Sequence, residues 1–344
     1  MSDIVYISEQ APHQQHAGGK GVEDIEQVLR EVYPKLTTLY TIPGRRNLLT
    51  YVRTFCHNFL CLQDIERHCR DKVIIIQYPH YNYNSLLREK FYHILKNNKA
   101  ILLIHDVDSI RFNTDIDKEI NILNKACVVL LHNQKMTDCL RCHGLTIPVV
   151  NVDIFDYLLT DIPKQNNYKF GKQIVFAGNL GKSQFIREFT EKASDVSFNL
   201  YGPNLDTDLK NKVHWVGSYS PEEIPFKLQG SFGLVWDGNS INGCTGLNGN
   251  YLKVNYPHKL SLYIAAGLPV ITWEQAAIAK IVRDYHIGFT VSSLSEIRAF
   301  IDTLKLEDYQ EYLQNIAVLQ KKVISGFFTK KAFETAVTIA SKKQ

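Results

Sequence analysis

The sequence lacks the features that mark membrane-spanning, secreted and zinc-binding proteins. Nowhere among its 344 residues do about 18 apolar residues run together, which argues against a membrane-spanning helix. The opening stretch MSDIVYISEQ has neither the basic segment nor the long apolar segment of a secretory signal. The seven cysteines are odd in number and scattered, and the CxxC pair Cys139 and Cys142 has no second pair to complete a zinc site. These absences predict a cytoplasmic protein with reduced thiols.

A large excess of charge of either sign is also missing. The formal net charge is +4 at pH 7, which is too small to indicate binding to nucleic acid. Part of the positive charge is concentrated near the carboxyl end, at Lys330, Lys331, Lys342 and Lys343. Such a cluster could touch an anionic membrane surface, but it is more often a solvated helix face.

What the chain does contain is a regular alternation of short apolar runs and helical patterns. Apolar runs that end at polar loops predict buried parallel strands, for example at residues 72–77, 100–104, 127–131, 173–177 and 233–236. A polar stretch rich in Pro, Asn and Gly, residues 160–172, has the composition of a linker. The pattern predicts an α/β protein with two Rossmann-like, doubly wound domains, residues 1–159 and 160–326, that face a cleft. A final helix within residues 327–344 is expected to pack on the first domain.

A loop that contains Gly18, Gly19 and Gly21 follows the first predicted strand and leads into a helix predicted at residues 22–32. Backbone N–H groups in such a loop can approach a phosphate or a sugar closely, although a plain surface loop fits equally well. The segment GGKG matches neither the dinucleotide fingerprint nor the P-loop, which disfavours an epimerase. Periplasmic-type binding proteins share the two-domain pattern but need the secretory signal that is missing here.

The most informative stretch is residues 232–289. Within it, a short apolar strand and a polar, glycine-rich loop at residues 237–250 precede an apolar helix predicted at residues 260–266. Gly267 stands where left-handed helix caps favour glycine. Lys259 lies at the start of this helix, beside the carboxyl end of a strand, where phosphates bind in open α/β sheets. Taken alone, Lys259 could equally be a solvated surface lysine.

The segment GNLGKS at residues 178–183 predicts a second anion-binding turn. It follows the strand predicted at residues 173–177 and opens a helix predicted at residues 184–191. Asn179 and Lys182 lie in this turn, and Lys182 stands at the helix start. A basic side chain beside the N–H groups of a helix start favours bound phosphate.

The stretch 232–289 resembles the donor half of bacterial GT-B glycosyltransferases. The resemblance is carried by WDG at residues 236–238, YLKVNYPHK at residues 251–259 and AAGLPV at residues 265–270. It is greatest for the β-1,6-galactofuranosyltransferases of O-antigen and capsule assembly. It is more distant for the accessory glucosyltransferases that extend GlcNAc on serine-rich repeat adhesins. Shorter matches at residues 104–106, 154–158 and 176–180 extend it over roughly residues 70–330.

The resemblance implies an inverting GT-B enzyme that needs no metal or other cofactor. The implied nucleotide and diphosphate contacts are Asn179, Lys182, Tyr201, Lys259 and Ser261. The implied contacts to the donor sugar are Gly18, Gly19, Asp237, Asn250 and Tyr251. Retaining GT-B enzymes commonly carry two glutamates eight positions apart near the donor ribose, whereas here Glu274 is followed at that distance by Val282. Inversion therefore needs a general base on the acceptor side.

An aromatic and amide-rich loop, residues 78–84, is the expected acceptor surface. Aromatic rings stack on the C–H faces of sugars, and amides fix sugar hydroxyls. Gln77 and Tyr78, at the end of the preceding strand, are therefore candidate acceptor-binding residues. A tyrosine-rich turn that only packs is equally compatible with the pattern.

The segment HDVD, residues 105–108, follows the strand predicted at residues 100–104. Asp106 and Asp108 have the spacing of the metal-binding DxD motif of GT-A glycosyltransferases. The strand–helix alternation on both sides and the lysine-bearing half that follows argue against that interpretation. The favoured alternative is that Asp106, or else His105, acts as the general base on the acceptor hydroxyl. A third alternative is that one of the two aspartates only caps the next helix.

The expected reaction is transfer of galactofuranose from UDP-galactofuranose to a sugar hydroxyl of a cell-surface glycan precursor. The expected acceptor is a glycan, or a lipid-linked glycan at the inner face of the membrane, with peripheral membrane association. Two other functions stay open: a UDP-glucose or UDP-GlcNAc transferase that acts on a glycosylated serine-rich adhesin, and a non-catalytic subunit that binds a sugar nucleotide. Assembly into a homo-oligomer is left open by the sequence.

Overall fold

The computed structural model describes residues 4–9, 17–43, 47–70, 72–83, 85–163, 169–192 and 196–342. The chain divides into two compact units. Unit 1 comprises Met1–Gln14, Val22–Asp153 and Phe328–Gln344, and unit 2 comprises Gln15–Gly21 and Ile154–Phe327.

Unit 1 is built on a six-stranded parallel sheet with the strand order β2-β1-β3-β4-β5-β6. The strands are β1 (Ile4–Glu9), β2 (Thr37–Thr41), β3 (Val73–Tyr78), β4 (Lys99–Ile104), β5 (Val128–Leu131) and β6 (Val149–Asn151). The helices within the first 153 residues are α1 (Ala17–Val32), α2 (Leu48–His68), α3 (Ser85–Asn97), α4 (Asp108–Phe112), α5 (Ile116–Leu123) and α6 (Gln134–Cys142). The first turn of α1, up to Gly21, belongs to unit 2. The strand order reverses between β1 and β3, and in sheets of this kind the crevice at that switch point takes ligands.

Unit 2 also has a six-stranded parallel sheet, in the order β12-β11-β10-β7-β8-β9. Its strands are β7 (Gln173–Ala177), β8 (Ser197–Tyr201), β9 (His214–Gly217), β10 (Phe232–Val235), β11 (Val270–Trp273) and β12 (Gly288–Val291). The remaining helices are α7 (Phe185–Lys192), α8 (Ile224–Lys227), α9 (Gly246–Tyr251), α10 (His258–Ala266), α11 (Ala279–Asp284), α12 (Ile297–Thr303), α13 (Leu306–Val323) and α14 (Phe327–Lys342). This is the Rossmann strand order, with its switch point between β7 and β10.

The predicted strands are found because buried parallel strands are apolar on both faces. In β3, Ile74, Ile75 and Ile76 are all fully buried. The same holds for Ile174 and Val175 in β7. Apolar runs of this kind are visible in the sequence without any knowledge of their partners.

Helix α10 fixes the switch point of unit 2. Every residue from Leu260 to Ala266 is buried, and Gly267 ends the helix in the left-handed conformation (φ 73°), as predicted. The Tyr263 hydroxyl accepts a hydrogen bond from the Ala177 N–H (3.0 Å) and donates to the Leu234 carbonyl (3.1 Å), which ties the ends of β7 and β10 to one helix. A β-carbon on Gly233 would lie 2.5 Å from the Tyr263 ring, so glycine is required for this packing.

Two predicted loops are helical in part, over residues 17–21 and 246–250. The predicted loop at Gly18, Gly19 and Gly21 was wrong, because α1 already begins at Ala17. A β-carbon on Gly21 would lie 2.2 Å from Nε2 of His258, so this glycine serves a tertiary contact instead of a turn.

The second correction concerns the polar stretch at residues 237–250, whose end forms α9. A β-carbon on Gly249 would lie 2.5 Å from the backbone of Cys244, so close packing again explains a glycine that had indicated a loop.

Helix α14 contributes to unit 1, where Lys330 forms an ion pair with Glu31 (3.0 Å). Residues 154–159 belong to unit 2, since the Tyr157 N–H donates to the Val323 carbonyl and the Tyr157 hydroxyl donates to the Pro221 carbonyl. All seven cysteines are free thiols. In the ranges given above, no helix is both long and apolar enough to cross a membrane.

Candidate active site

Glycines join the carboxyl ends of three neighbouring strands in unit 2. The Gly178 N–H after β7 donates to the Tyr201 carbonyl (2.9 Å), and the Gly202 N–H after β8 donates to the Gly217 carbonyl (2.8 Å). A β-carbon on Gly202 would lie 1.9 Å from the Gly178 carbonyl oxygen. The missing side chain of Gly202 therefore lets the turns after β7 and β8 pack closely, at the edge of the sheet where ligands bind in folds of this kind.

The Lys259 side chain lies against the main chain at Gly178. A β-carbon on Gly178 would lie 3.0 Å from Cε of Lys259, and the Lys259 ammonium lies 5.1 Å from the centroid of the Phe176 ring. The residue is half-buried in the first turn of α10, and its ammonium has no ion-pair partner among the described residues. A lysine and a helix N-terminus at a switch point together favour an anion such as a diphosphate.

Asp237, directly after β10, lies near the same place. Its carboxylate accepts a hydrogen bond from the Gly238 N–H (2.9 Å). Burial raises the pKa of the neighbouring Cys244 thiol to about 12, while the Asp237 N–H and the Lys259 charge act against that rise and the Asp237 carboxylate adds to it. Asp237 follows β10 and Lys259 lies in the first turn of α10, so both residues stand near the β7–β10 switch point.

Asn179 and Lys182 occupy a 3₁₀ turn, Leu180–Lys182, that follows β7. The Asn179 side-chain oxygen accepts hydrogen bonds from the Gly181 N–H (3.1 Å) and the Asn204 amide (3.2 Å), so it holds the turn in shape. Lys182 is exposed and forms no ion pair within the described part of the chain.

Three of the predicted donor-side residues are buried side chains of unit 2. Tyr201, Ser261 and Tyr251 are 0%, 2% and 3% exposed. The Tyr201 hydroxyl donates to the Lys227 carbonyl (3.1 Å), and the Ser261 hydroxyl donates to the Phe155 carbonyl (2.6 Å). We leave these three out of the proposed ligand contacts, because their surface is already covered by protein. Asn250, by contrast, is exposed on α9.

His258 was not singled out from the sequence. Both of its ring nitrogens are buried and have no hydrogen-bond partner among the described residues, and its ring stacks on Phe155 (5.4 Å between centroids). Burial lowers its pKa to about 4, and the charge of Lys20 adds to this effect. A neutral histidine therefore lies in unit 2 beside the first turns of α1, which contain Gly18 and Gly19. In the sequence, the position of His258 directly before Lys259 could have indicated that it lies near the proposed site.

In unit 1, a hydrogen-bonded chain runs inward from the end of β4. Nε2 of His105 bonds the Gln77 side-chain oxygen, and the Gln77 amide donates to the Tyr6 hydroxyl (2.5 Å) and the Val22 carbonyl (3.1 Å). Gln77 is 7% exposed. Its amide is thus engaged inside unit 1 and orients the His105 ring instead of presenting itself to solvent.

The two carboxylates of the DVD segment have different partners. Asp106 accepts a hydrogen bond from Arg111 (2.6 Å) within an ion pair, and Asp108 accepts one from the Tyr81 hydroxyl (3.2 Å). Among the residues that the structure describes, no three His, Cys, Asp or Glu side chains are grouped so as to hold a metal ion.

Glu9, at the carboxyl end of β1, is a further titratable group that the sequence analysis missed. Its carboxylate accepts a hydrogen bond from the Tyr81 N–H (2.7 Å). Burial raises its pKa to about 7, against the opposing effect of the Tyr81 and Asn82 N–H groups. A carboxyl group that titrates near neutrality at the β1–β3 switch point is typical of functional sites. The only signal in the sequence was its position at the end of the first strand.

Comparison with known proteins identifies both halves of the chain. The model of the glucosyltransferase 3-like N-terminal domain matches residues 4–154, and that of the glucosyltransferase 3-like C-terminal domain matches residues 174–336. The chain is 32% identical over 253 residues to the β-1,6-galactofuranosyltransferase WbbI of Escherichia coli K12, covering 72% of this chain and 74% of that protein. It is 26% identical over 272 residues to glucosyltransferase 3 of Streptococcus gordonii, covering 77% and 79%.

Solved structures share the fold at low sequence identity. Sucrose-phosphate synthase from Thermosynechococcus elongatus aligns with a TM-score of 0.55 and 13% identity over 99% of this chain and 96% of that chain. AviGT4, a glycosyltransferase involved in avilamycin A biosynthesis, aligns with a TM-score of 0.53 and 12% identity over 99% and 98%.

Two Rossmann-like parallel sheets and the likeness to these solved structures define the GT-B fold. The family models and the curated relatives identify the chain as a glycosyltransferase. The chain belongs to the glucosyltransferase 3-like family. The resemblance to the bacterial galactofuranosyltransferases and accessory glucosyltransferases is confirmed.

Proposed function

We propose that the protein is an inverting, metal-independent transferase that moves galactofuranose from UDP-galactofuranose to a sugar hydroxyl of a cell-surface glycan precursor. The observation that carries a nucleotide-sugar donor is Lys259, which lies against bare main chain at the switch point of unit 2. The 32% identity to a galactofuranosyltransferase supports the furanose donor over the alternatives.

The departing diphosphate is the group that most needs stabilisation in this reaction. Negative charge grows on the UDP oxygen as the glycosidic bond breaks, and fixed cations and N–H dipoles lower the energy of that state. Lys259 and the first N–H groups of α10 are the inner contributors, and exposed Lys182 is the outer one. Asp237 accepts hydrogen bonds from hydroxyls of the donor sugar, and exposed Asn250 stands ready for the same role.

The acceptor hydroxyl must lose its proton during attack, and we assign this to the segment His105–Asp106 after β4. Arg111 holds the Asp106 carboxylate in place through an ion pair, and Gln77 orients the His105 ring. Asp106→Asn should abolish turnover while UDP binding persists. If Asp106→Asn and His105→Gln both keep wild-type turnover, neither residue is the base.

The test of the function is UDP release from four donors: UDP-galactofuranose, UDP-galactose, UDP-glucose and UDP-GlcNAc. Each is offered with galactose- and glucose-terminated acceptors, with and without EDTA. Release with the furanose donor alone, undiminished by EDTA, is the expected result. Loss of release with EDTA, restored by added magnesium, would refute the metal-independent mechanism.

A second candidate is a UDP-glucose or UDP-GlcNAc transferase that extends glycans on a serine-rich adhesin. The family description, glucosyltransferase 3-like, favours it. Release from UDP-glucose or UDP-GlcNAc alone would select this function. UDP binding without release from any donor would instead indicate the non-catalytic, sugar-nucleotide-binding subunit.

We further propose peripheral association of this cytoplasmic enzyme with the membrane that carries a lipid-linked acceptor. The start of α2 supports the proposal, since Leu48, Leu49 and Val52 are 77%, 81% and 51% exposed. Flotation with anionic vesicles should be lost in Leu48→Ser/Leu49→Ser and kept in Leu247→Ser, a control from unit 2. If the double variant instead changes only the sedimentation coefficient, this face joins copies of a homo-oligomer.

A further inference from the structure

The first turn of α1 is part of unit 2 and is anchored there by Lys20. Lys20 is 7% exposed. Its ammonium donates a hydrogen bond to the Leu158 carbonyl (3.0 Å) and lies 5.1 Å from the centroid of the Tyr157 ring. A buried cation is stable only where such contacts replace its water, so they hold the turn in place. The position of the next residue, Gly21, is thereby fixed as well.

Gly21 leaves room for the ring of His258, the first residue of α10. A β-carbon on Gly21 would lie 2.2 Å from Nε2 and 2.4 Å from Cε1 of that ring, about 1 Å closer than ordinary van der Waals contact. Both ring nitrogens are buried and have no hydrogen-bond partner among the described residues. The ring is therefore held by packing, and a methyl group at residue 21 would displace it.

The turn of α10 that contains Lys259 is fixed by the residues on either side of this lysine. The His258 ring stacks on the Phe155 ring (5.4 Å between centroids), and the Ser261 hydroxyl donates to the Phe155 carbonyl (2.6 Å). Residues three apart on a helix share a face, so His258 and Ser261 face Phe155 together. Lys259 lies between them in the chain, with its Cε 3.0 Å from where Gly178 would carry a β-carbon. Displacing His258 would therefore displace Lys259.

We propose that Gly21 and His258 are positioning residues that hold Lys259 where the donor diphosphate binds. The anchored turn of α1 fixes one contact of the imidazole, and Phe155 fixes another. The ammonium is therefore held against Gly178 before the donor arrives, which reduces the entropy lost on binding. Neither positioning residue touches the donor, since both act through Lys259. The inference rests on the proposed function, because it takes a diphosphate as the ligand of Lys259.

The test is calorimetric measurement, on the full chain, of the affinity for UDP and for uridine, which lacks the phosphates. Gly21→Ala should weaken UDP binding by about threefold to tenfold, as expected when a hydrogen bond to a charged group is lost in part. It should leave uridine binding unchanged. Gly171→Ala is the control, because among the described residues its methyl group would meet Ser231 Oγ alone, at 3.5 Å. Its affinity for both ligands should equal that of wild type.

A double variant shows whether the effect passes through the His258 ring. His258→Ala removes the ring and keeps the Ser261 hydrogen bond, so it should weaken UDP binding less than Gly21→Ala does. In Gly21→Ala/His258→Ala the new methyl group has no ring to displace, and UDP affinity should equal that of His258→Ala. This comparison, with uridine binding unchanged in both variants, decides the matter even if Gly21→Ala alone does not fold.

Wild-type UDP affinity in Gly21→Ala would overturn the inference, as would an equal loss of uridine affinity. A double variant that binds UDP more weakly than His258→Ala would overturn it too. These outcomes leave the proposed transfer intact, because UDP release by wild type tests that reaction separately. Failure of wild type to bind UDP at all would instead contradict the proposed function, and this inference with it.

Discussion

The two switch points of this molecule are constructed differently. At the β7–β10 switch point of unit 2, the residues after β7 and β8 are glycines without side chains, and Lys259 has no ion-pair partner among the described residues. At the β1–β3 switch point of unit 1, polar side chains are engaged in hydrogen bonds: the Glu9 carboxylate accepts from the Tyr81 backbone N–H, and the Gln77 side chain bonds the His105 ring.

This difference matches the chemistry of the two proposed substrates. A diphosphate brings its own negative oxygens and needs only cations and accessible N–H groups. A sugar acceptor is neutral and must be oriented and deprotonated, which requires a prepared network of imidazole, amide and carboxyl groups. Both sheets are parallel and six-stranded, so the functional difference lies in the residues that follow the strands.

The largest expected effect comes from filling the bare edge of unit 2. In Gly202→Ala, the new methyl group would lie 1.9 Å from the Gly178 carbonyl oxygen, at a residue whose φ of 132° already disfavours a side chain. We expect a loss of about 3–5 kcal/mol in the free energy of unfolding, measured by urea denaturation. Gly171→Ala is the matched control, because among the described residues its methyl group would meet Ser231 Oγ alone, at 3.5 Å. Equal stability of the two variants would contradict the close approach of the strand ends.

Removing the cation should impair the reaction while the fold persists. Lys259→Ala should lower turnover by about 10²–10³-fold, as expected for loss of one electrostatic contact to a developing charge. Lys182→Ala should lower it less, because exposed Lys182 is screened by water. Lys280→Ala, an exposed lysine paired with Asp284 on α11, is the control and should behave as wild type. A larger loss in Lys182→Ala than in Lys259→Ala would reverse the proposed roles.

The elements that the sequence predicts well are those whose signal is local. The strand predicted at residues 173–177 is β7, and the helix predicted at residues 260–266 is the buried part of α10, ended by Gly267. Apolar runs and a capping glycine can be recognised in the sequence alone. A strand buried on both faces requires apolar residues, and a left-handed helix end favours glycine.

What the sequence does not reveal depends on contacts between distant residues. Gly21 indicated a loop, yet it is a helical residue whose missing side chain makes room for His258. The raised pKa of Glu9 arises from burial at the end of β1, where it receives the N–H of Tyr81 from a distant part of the chain. No local pattern reports such pairings, so the sequence did not reveal Glu9 or the tertiary role of Gly21.

The titration of Glu9 offers a test of the unit 1 network. Its pKa in the folded state is raised from 4.5 to about 7, so its contribution to stability is complete below pH 4.5 and is lost as pH rises through 7. Glu9→Gln keeps an acceptor for the Tyr81 N–H and cannot ionise. It should exceed wild type by about 2 kcal/mol in the free energy of unfolding at pH 8 and equal it near pH 4.

Glu223→Gln is the control for this prediction, because the pKa of Glu223 is shifted in the opposite direction to that of Glu9. Hydrogen bonds from the Ser220 hydroxyl and N–H lower the pKa of Glu223, so removing its charge should not stabilise the protein at pH 8. Parallel stability curves for wild type and Glu9→Gln across this pH range would show that Glu9 is not buried as described.

His258 provides the smallest of the expected effects and the opposite pH dependence. Its folded-state pKa is lowered from 6.5 to about 4, so its contribution is complete above pH 6.5 and is lost as pH falls through 4. Between pH 7 and pH 5, the free energy of unfolding should fall by about 1 kcal/mol more in wild type than in His258→Gln. The exposed residue His68 on α2 serves as control, and His68→Gln should lose stability with falling pH as wild type does. If the stability of His258→Gln falls with pH as that of wild type does, the buried neutral ring is not the source of the acid sensitivity. The contrast between the two switch points would then rest on the glycines and lysines of unit 2 and the hydrogen-bonded side chains of unit 1.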